Sequence, residues 1–308
     1  MNIVIYGTGG VGGYFGARLA QAGNKVIFIA RGKHLKAIKK RGLELKSPKG
    51  NFVVKPANAT NNISEVKDID LILVCVKTWQ LKETAQIIKP VLNENTMVIS
   101  LLNGCENSEM LSSIIDKKHV IGGLCKVVSF IESPGVIKHA TYEPTIVFGE
   151  LDNKKTERAL QLESVFKNAN ITTKLADNIQ KEIWTKYLFI TTISALGALT
   201  RVNIGQMLAS PEIKRMMWNT AEEIFAIAKA KNINLPTDVI QKQFNIIESL
   251  PQDTTASLQR DIMEGKPSEL ESQNGTIVRM GKELSIPTPM NHFIYYSLLP
   301  QEIRARRI

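Results

Sequence analysis

The stretch NIVIYGTGGVGGYFGARLAQAGNKVIFIAR, residues 2–31, decides the fold. Residues 2–6 alternate around Ile3 and Ile5 and read as a buried first strand. Gly7-Thr8-Gly9-Gly10-Val11-Gly12 follows at once. In this GxGxxG spacing Gly7 permits a tight turn, Gly9 lets the backbone approach a pyrophosphate, and Gly12 allows a helix to pack closely on the strand. That helix runs from about Gly13 to Ala22, and its small residues Gly12, Gly13, Gly16, Ala17 and Ala20 read as one packing side. Gly23-Asn24 closes it, and Lys25–Ile29 reads as a second, parallel strand. The whole is a βαβ unit of about 30 residues, the context in which the motif binds a dinucleotide. The pyrophosphate would rest on N–H groups at the helix N-terminus, where the dipole favours anions.

The end of the second strand bears on which dinucleotide. An NAD enzyme places Asp or Glu there to bind the ribose 2′-hydroxyl. This chain has Ala30-Arg31-Gly32 instead. A carboxylate would repel a 2′-phosphate, whereas a guanidinium grips it with paired hydrogen bonds. Arg31 therefore points to NADPH.

Two further strand ends carry polar residues. Asp70–Val76 is a near-continuous apolar run, as in a strand covered on both faces, and it ends in Lys77. Thr96–Leu102 is the next, ending in Asn103-Gly104. Ligands of open α/β sheets bind beyond the carboxyl ends of strands, so Lys77 and Asn103 are candidate site residues. Strand-rich segments continue through Val120–Val128, Val136–His139 and Thr145–Phe148. After about residue 177 the pattern turns helical, over roughly 179–200, 211–231, 236–249, 253–264 and 268–284, with Asn234-Leu-Pro236 and Ile286-Pro-Thr-Pro289 as breaks. The expected architecture is an α/β dinucleotide-binding domain, 1–176, then an all-helical substrate domain, 177–308, with the active site in a cleft between them.

Composition narrows the function. The 308 residues carry a formal charge of +10, but the basic residues are dispersed and mixed with acids, densest at Lys33–Arg41 beside the expected cofactor site. That fits a field attracting phosphorylated and carboxylated small molecules better than a nucleic-acid face. No apolar run reaches the ~18 residues of a membrane span. Cys75, Cys105 and Cys125 are scattered, and His34, His119, His139 and His292 are too dispersed for a metal site. Walker, zincin and nucleophile-elbow motifs are missing from the sequence. A cytoplasmic enzyme is expected. Hydride transfer without metal or an evident histidine acid needs another proton donor, and lysine can serve.

Gly7–Gly12 with Arg31, Val76-Lys77-Thr78 and Leu102-Asn-Gly-Cys-Glu-Asn107 resemble the ketopantoate reductase (2-dehydropantoate 2-reductase) family. Glu182-Ile-Trp-Thr-Lys186 and the stretch from Ser257 through Glu269 to Gly275 resemble its two signature stretches in the helical half. The resemblance spans nearly the whole chain. It implies a Rossmann-like domain joined to a helical one, NADPH as hydride donor and a branched 2-oxo acid as substrate. It implies Lys186 as the proton donor that polarises the ketone, Ser257 as a holder of substrate carboxylate, Glu269 at the nicotinamide end of the cofactor, and Asn103 near both. On sequence alone Ser257 and Glu269 read as helix N-caps.

One departure is specific to this chain. The family pattern continues from the lysine with asparagines four and eight residues on, on one helix face. Here those positions are Ile190 and Ser194, the latter still able to bind substrate. The leading expectation is reduction of ketopantoate to pantoate, toward coenzyme A. Its rivals are the same chemistry on a less polar 2-oxo acid, favoured by Ile190, and a non-catalytic NADP(H) sensor, disfavoured by Lys186, Asn103 and Ser257. An exposed apolar helix face in the C-terminal half would make a homodimer.

Overall fold

The computed structural model describes residues 1–140 and 143–306. Its strands are β1 (Asn2–Tyr6), β2 (Lys25–Ile29), β3 (Leu43–Lys46), β4 (Phe52–Val54), β5 (Asn58–Thr60), β6 (Leu71–Val74), β7 (Met97–Ser100), β8 (Val120–Lys126), β9 (Ser129–Ser133), β10 (Val136–His139), β11 (Thr145–Glu150) and β12 (Thr172–Leu175). Its helices are α1 (Gly10–Gln21), α2 (Gly32–Arg41), α3 (Leu81–Ile88), α4 (Asn107–Ser112), α5 (Glu157–Asn168), α6 (Ile179–Thr200), α7 (Ile204–Ala209), α8 (Pro211–Ala230), α9 (Val239–Glu248), α10 (Ser257–Met263), α11 (Thr276–Leu284) and α12 (Pro289–Arg306). The chain divides into two compact units, Met1–Leu102 with Glu106–Ile179, and Asn103–Cys105 with Gln180–Ile308.

In the first unit eight strands form one sheet in the order β12-β11-β8-β7-β6-β1-β2-β5. All its pairings are parallel except that of β11 with β8. Successive side chains of a strand point to opposite faces, so a strand covered on both must be apolar throughout. Ile3, Ile5, Leu71 and Leu73 accordingly enter one core with Phe15, Leu19 and Phe28. Val4, Tyr6, Ile72 and Val74 enter the other with Leu81, Ala85 and Leu111. The strand order reverses between β1 and β6, whose carboxyl ends carry Gly7 and Cys75–Lys77. That switch point is where such sheets bind ligands.

A second sheet of four strands, β4-β3-β10-β9, packs against α1. It corrects the expectation that the small residues of α1 make one packing side. A Cβ on Gly12 or Gly16 would lie 2.8 or 2.7 Å from Ile5 of the large sheet, but one on Gly13 would lie 2.5 Å from Ile137 of β10. One on Gly10 would lie 2.1 Å from the Ser129 carbonyl oxygen. The helix is clasped on two sides, and its glycines divide between them.

The second unit is helical. From Thr191 to Ala198 every residue of α6 is buried, as expected of a helix packed all round. The helix α8 packs on α7, α9, α11 and α12. Between α10 and α11, Glu271–Gly275 forms a π-turn, in which the Gly275 N–H reaches back five residues to the Leu270 carbonyl at 3.1 Å. The sequence reading had no helix at α7 or α12. No helix among the described residues is long and apolar enough to cross a membrane.

Candidate functional site

In the first unit, Thr8 leaves β1 buried, and both its N–H (3.0 Å) and its hydroxyl (2.9 Å) bond the Ile29 carbonyl. The turn is thereby tied to the end of β2. Gly7 has φ +102°, and a Cβ there would meet the Cys75 carbonyl at 2.9 Å, so no other residue fits without strain. Gly9 is the N-cap of α1, and a Cβ on it would meet no atom within 4 Å. The first intrahelical bond runs from the Gly13 N–H to the Gly9 carbonyl at 2.8 Å. The N–H groups of Gly10, Val11 and Gly12 precede it and have no acceptor within the helix. Open backbone at Gly9 beside these donors fits a pyrophosphate.

Arg31 is exposed in extended conformation (φ −133°) as the N-cap of α2. Burial pushes the Tyr6 hydroxyl, at the end of β1, above its ordinary range, and the Arg31 guanidinium nearby pulls it the other way. Arg31 thus follows the carboxyl end of β2, where a ribose would lie, with its guanidinium close to the Tyr6 hydroxyl. Lys77 follows β6. Its N–H bonds Gln80 Oε1 at 3.3 Å, and its ammonium lies 5.8 Å from the centre of the Trp79 ring.

In the second unit three predicted residues meet. Lys186 Nζ donates to Asn103 Oδ1 at 2.8 Å, and Asn103 Nδ2 donates to Glu269 Oε2 at 2.9 Å. The ammonium can only donate and the carboxylate only accept, which fixes the amide's orientation between them. Both bonds are charge-assisted. Glu269 is buried, and Lys186 and Asn103 are partly so. Lys186 sits near the middle of α6, anchored by buried Trp184 and Tyr187, whose rings pack edge to face at 5.6 Å.

Among the described residues no hydrogen bond joins the remaining second-unit candidates to this chain of bonds. Ser194 is fully buried, and its hydroxyl donates to the Ile190 carbonyl at 2.5 Å. Ile190 itself is partly exposed. Ser257 is the first residue of α10 and not its N-cap, which is Ala256. Nor is Glu269 an N-cap, because the π-turn starts after Leu270 and the carboxylate is turned to Asn103. Sequence reasoning overlooked Gln273, fully buried one turn beyond Glu269, with no partner for Oε1 or Nε2 among the described residues and a main-chain carbonyl that accepts the Tyr187 hydroxyl at 2.6 Å.

Comparison with known proteins gives consistent likenesses along the chain. A family model described as ketopantoate reductase PanE/ApbA matches residues 3–153, and its C-terminal counterpart matches 178–302. The 2-dehydropantoate 2-reductase of Aquifex aeolicus (strain VF5) is 30% identical over 98% of this chain and 97% of its own. The Bacillus subtilis (strain 168) protein called uncharacterized oxidoreductase YkpB is 29% identical over 97% of this chain and 98% of its own. A PanE/ApbA family ketopantoate reductase from Ralstonia eutropha JMP134 superposes with a TM-score of 0.92 at 32% identity, covering 99% of this chain and 100% of that one. A D-mandelate dehydrogenase bound to NADH and anilino(oxo)acetate shares the fold, with a TM-score of 0.90 at 24% identity over 99% of this chain and all of that one.

Proposed function

The chain belongs to the ketopantoate reductase PanE/ApbA family of oxidoreductases, and from that membership we propose that it reduces a 2-oxo acid with NADPH. The leading substrate is ketopantoate, giving pantoate for pantothenate and coenzyme A synthesis in the cytoplasm. The observation that carries this reading is the Lys186–Asn103–Glu269 chain of bonds.

Residues 1–176 would hold the cofactor, on the Gly7–Gly12 loop and Arg31, with Lys77 beside them. Residues 177–308 would hold the substrate, with Ser257 at its carboxylate. NADPH, when bound, supplies the hydride. Lys186 does the rest of the chemistry. Its ammonium donates to the ketone oxygen, stabilises the negative charge developing there and then releases a proton from Nζ to the alkoxide. Asn103 takes up one N–H of that ammonium and so sets the direction of the others. Glu269 holds the Asn103 amide and keeps it from flipping.

A second reading, a less polar 2-oxo acid, is favoured by one observation. Ile190 cannot bond a substrate hydroxyl, and the Ser194 hydroxyl is already given to the Ile190 carbonyl.

Both readings are tested by following NADPH oxidation with ketopantoate, its deoxy analogue 2-oxo-3,3-dimethylbutanoate and other 2-oxo acids, in the natural protein and in Lys186→Ala. We expect turnover of one of these acids, lowered at least ~10²–10⁴-fold in the variant while NADPH still binds. The kcat/KM ratio for the first two acids separates the readings, since a site built to bond a hydroxyl discriminates by ~10⁴ or more and an apolar one does not. Binding of NADPH without reduction of any 2-oxo acid would refute both.

A further inference from the structure

Glu269 is carried by a segment that cannot hold itself. The π-turn from Glu271 interrupts regular helical bonding, and such turns are rare and frequently found at functional sites. Within it the fully buried Gln273 amide has no partner at either end among the described residues, a standing cost to the fold. A stretch of this kind keeps one shape only if something outside over-determines it.

Besides the Tyr187 hydroxyl of α6 on the Gln273 carbonyl, that outside support is α12, which grips the segment on both sides of Glu269. Ahead of it, Glu302 is buried, with 4% of its surface exposed. Its two carboxylate oxygens accept the Ser268 N–H at 3.1 and 3.0 Å, and Oε2 also accepts the Ser268 hydroxyl at 2.5 Å. The Ser268 oxygen in turn accepts the Leu270 N–H at 3.3 Å, so one side chain brackets Glu269. Arg306, one turn on, bonds Glu302 at 2.6 Å and the Ser268 carbonyl at 3.0 Å. Behind Glu269, Asn274 Nδ2 donates to Asn291 Oδ1 at 2.9 Å, and Asn291 Nδ2 donates to Glu223 of α8 at 2.7 Å. Glu223 also accepts the N–H groups of Met290 and Asn291, at 2.7 and 2.9 Å, in the first turn of α12.

We infer that Glu302 is a positioning residue for the reaction: through Ser268 it fixes Glu269, and through Glu269 the Asn103 amide and the Lys186 ammonium. The inference rests on the reading of Lys186 given above. A buried carboxylate that merely tied α12 down would be satisfied by any donors. Among the described residues every donor to Glu302 belongs instead to Ser268 or to Arg306, which itself bonds Ser268.

The test is a double-mutant cycle in the full-length protein. Glu302→Gln keeps the side-chain volume but places an amide donor against donors. We expect it to lower kcat about ten- to a hundred-fold, as a small misplacement of reacting groups does, with the KM for the 2-oxo acid changed less than about threefold. In a Glu269→Gln background the same change should cost less than about twofold, because the residue through which Glu302 acts is already lost. Equal fold-losses in both backgrounds, or an unchanged kcat in a folded Glu302→Gln, would overturn the inference. Ser268→Ala removes the same link from its other end and serves if Glu302→Gln does not fold. The ¹⁵N resonance of Lys186 Nζ, assigned by its disappearance in Lys186→Arg, gives a readout free of any substrate. It should move on Glu302→Gln, and not move further when Glu269 is already Gln. A resonance that stays put refutes the positioning role even if no 2-oxo acid is turned over, whereas the expected movement without turnover would refute only the choice of substrate.

Discussion

At the scale of single residues, the turn at Gly7, the start of α1 and the end of β2 before Arg31 were legible because they are local features: a spacing of a few positions states each of them. The place of Asn103 at a strand end was legible in the same way, but its meeting with Lys186 and Glu269 was not. Their bonds span 83 and 166 positions, and no periodicity encodes a meeting at such a distance. Only the likeness to a family brought them together beforehand. Gln273 had no signal at all, since a glutamine in a helical stretch reads as surface. The local reading of Arg31 carries its own prediction. Arg31→Ala should weaken NADPH binding about ten- to a hundred-fold, the worth of a charge-assisted bond, while NADH binding stays nearly constant. Dissociation constants for both cofactors check it, and equal losses would reassign the phosphate to another residue.

At the scale of elements, long apolar strands and helices with regular spacing were read and short or irregular ones were not. The helix α12 escaped because Pro300 lies inside it and exposed Phe293, Tyr296 and Ile303 interleave with buried Ile294 and Leu298, leaving no clean apolar stripe. The helix α5 escaped too, and its start depends on a contact that sequence does not show. Glu150, buried at the end of β11, accepts the Thr156 hydroxyl at 2.6 Å and a two-point grip from Arg158 at 2.7 Å each. Thr156 then caps α5 by accepting the Ala159 N–H. Burial pushes the Glu150 carboxyl up, but Arg158 and Thr156 together outweigh it and hold the group below its ordinary range. A depressed folded-state value stabilises the fold at pH above the unfolded carboxylate's ~4.3, and that contribution is lost as pH falls through the folded value. Glu150→Gln should therefore cost roughly 2–3 kcal/mol at neutral pH. The deficit should shrink steadily below about pH 4. Denaturant unfolding of both proteins at several pH values measures it, and a pH-independent difference would assign the loss to packing.

At the scale of the whole molecule, the order of an α/β unit followed by a helical one was plain from the change of period near residue 177, and the family assignment agrees with it. The four-stranded sheet was hidden, because β3, β4 and β9 are short and β9 is largely exposed. Its presence turns adjacent glycines of one loop into opposites. A methyl on Gly10 would strike the Ser129 backbone at 2.1 Å, whereas one on Gly9, whose φ of −84° suits any residue, would touch nothing. Gly10→Ala should thus destabilise the fold by about 1–3 kcal/mol or more. Gly9→Ala should raise the melting temperature by about 1–3 °C, by restricting the unfolded chain, while NADPH binding falls roughly tenfold or more. Thermal unfolding with and without NADPH decides both. A library of this protein sorted for heat resistance alone would accordingly enrich Gly9→Ala and return hardier molecules that hold a dinucleotide less tightly, so any such selection has to score turnover in the same round.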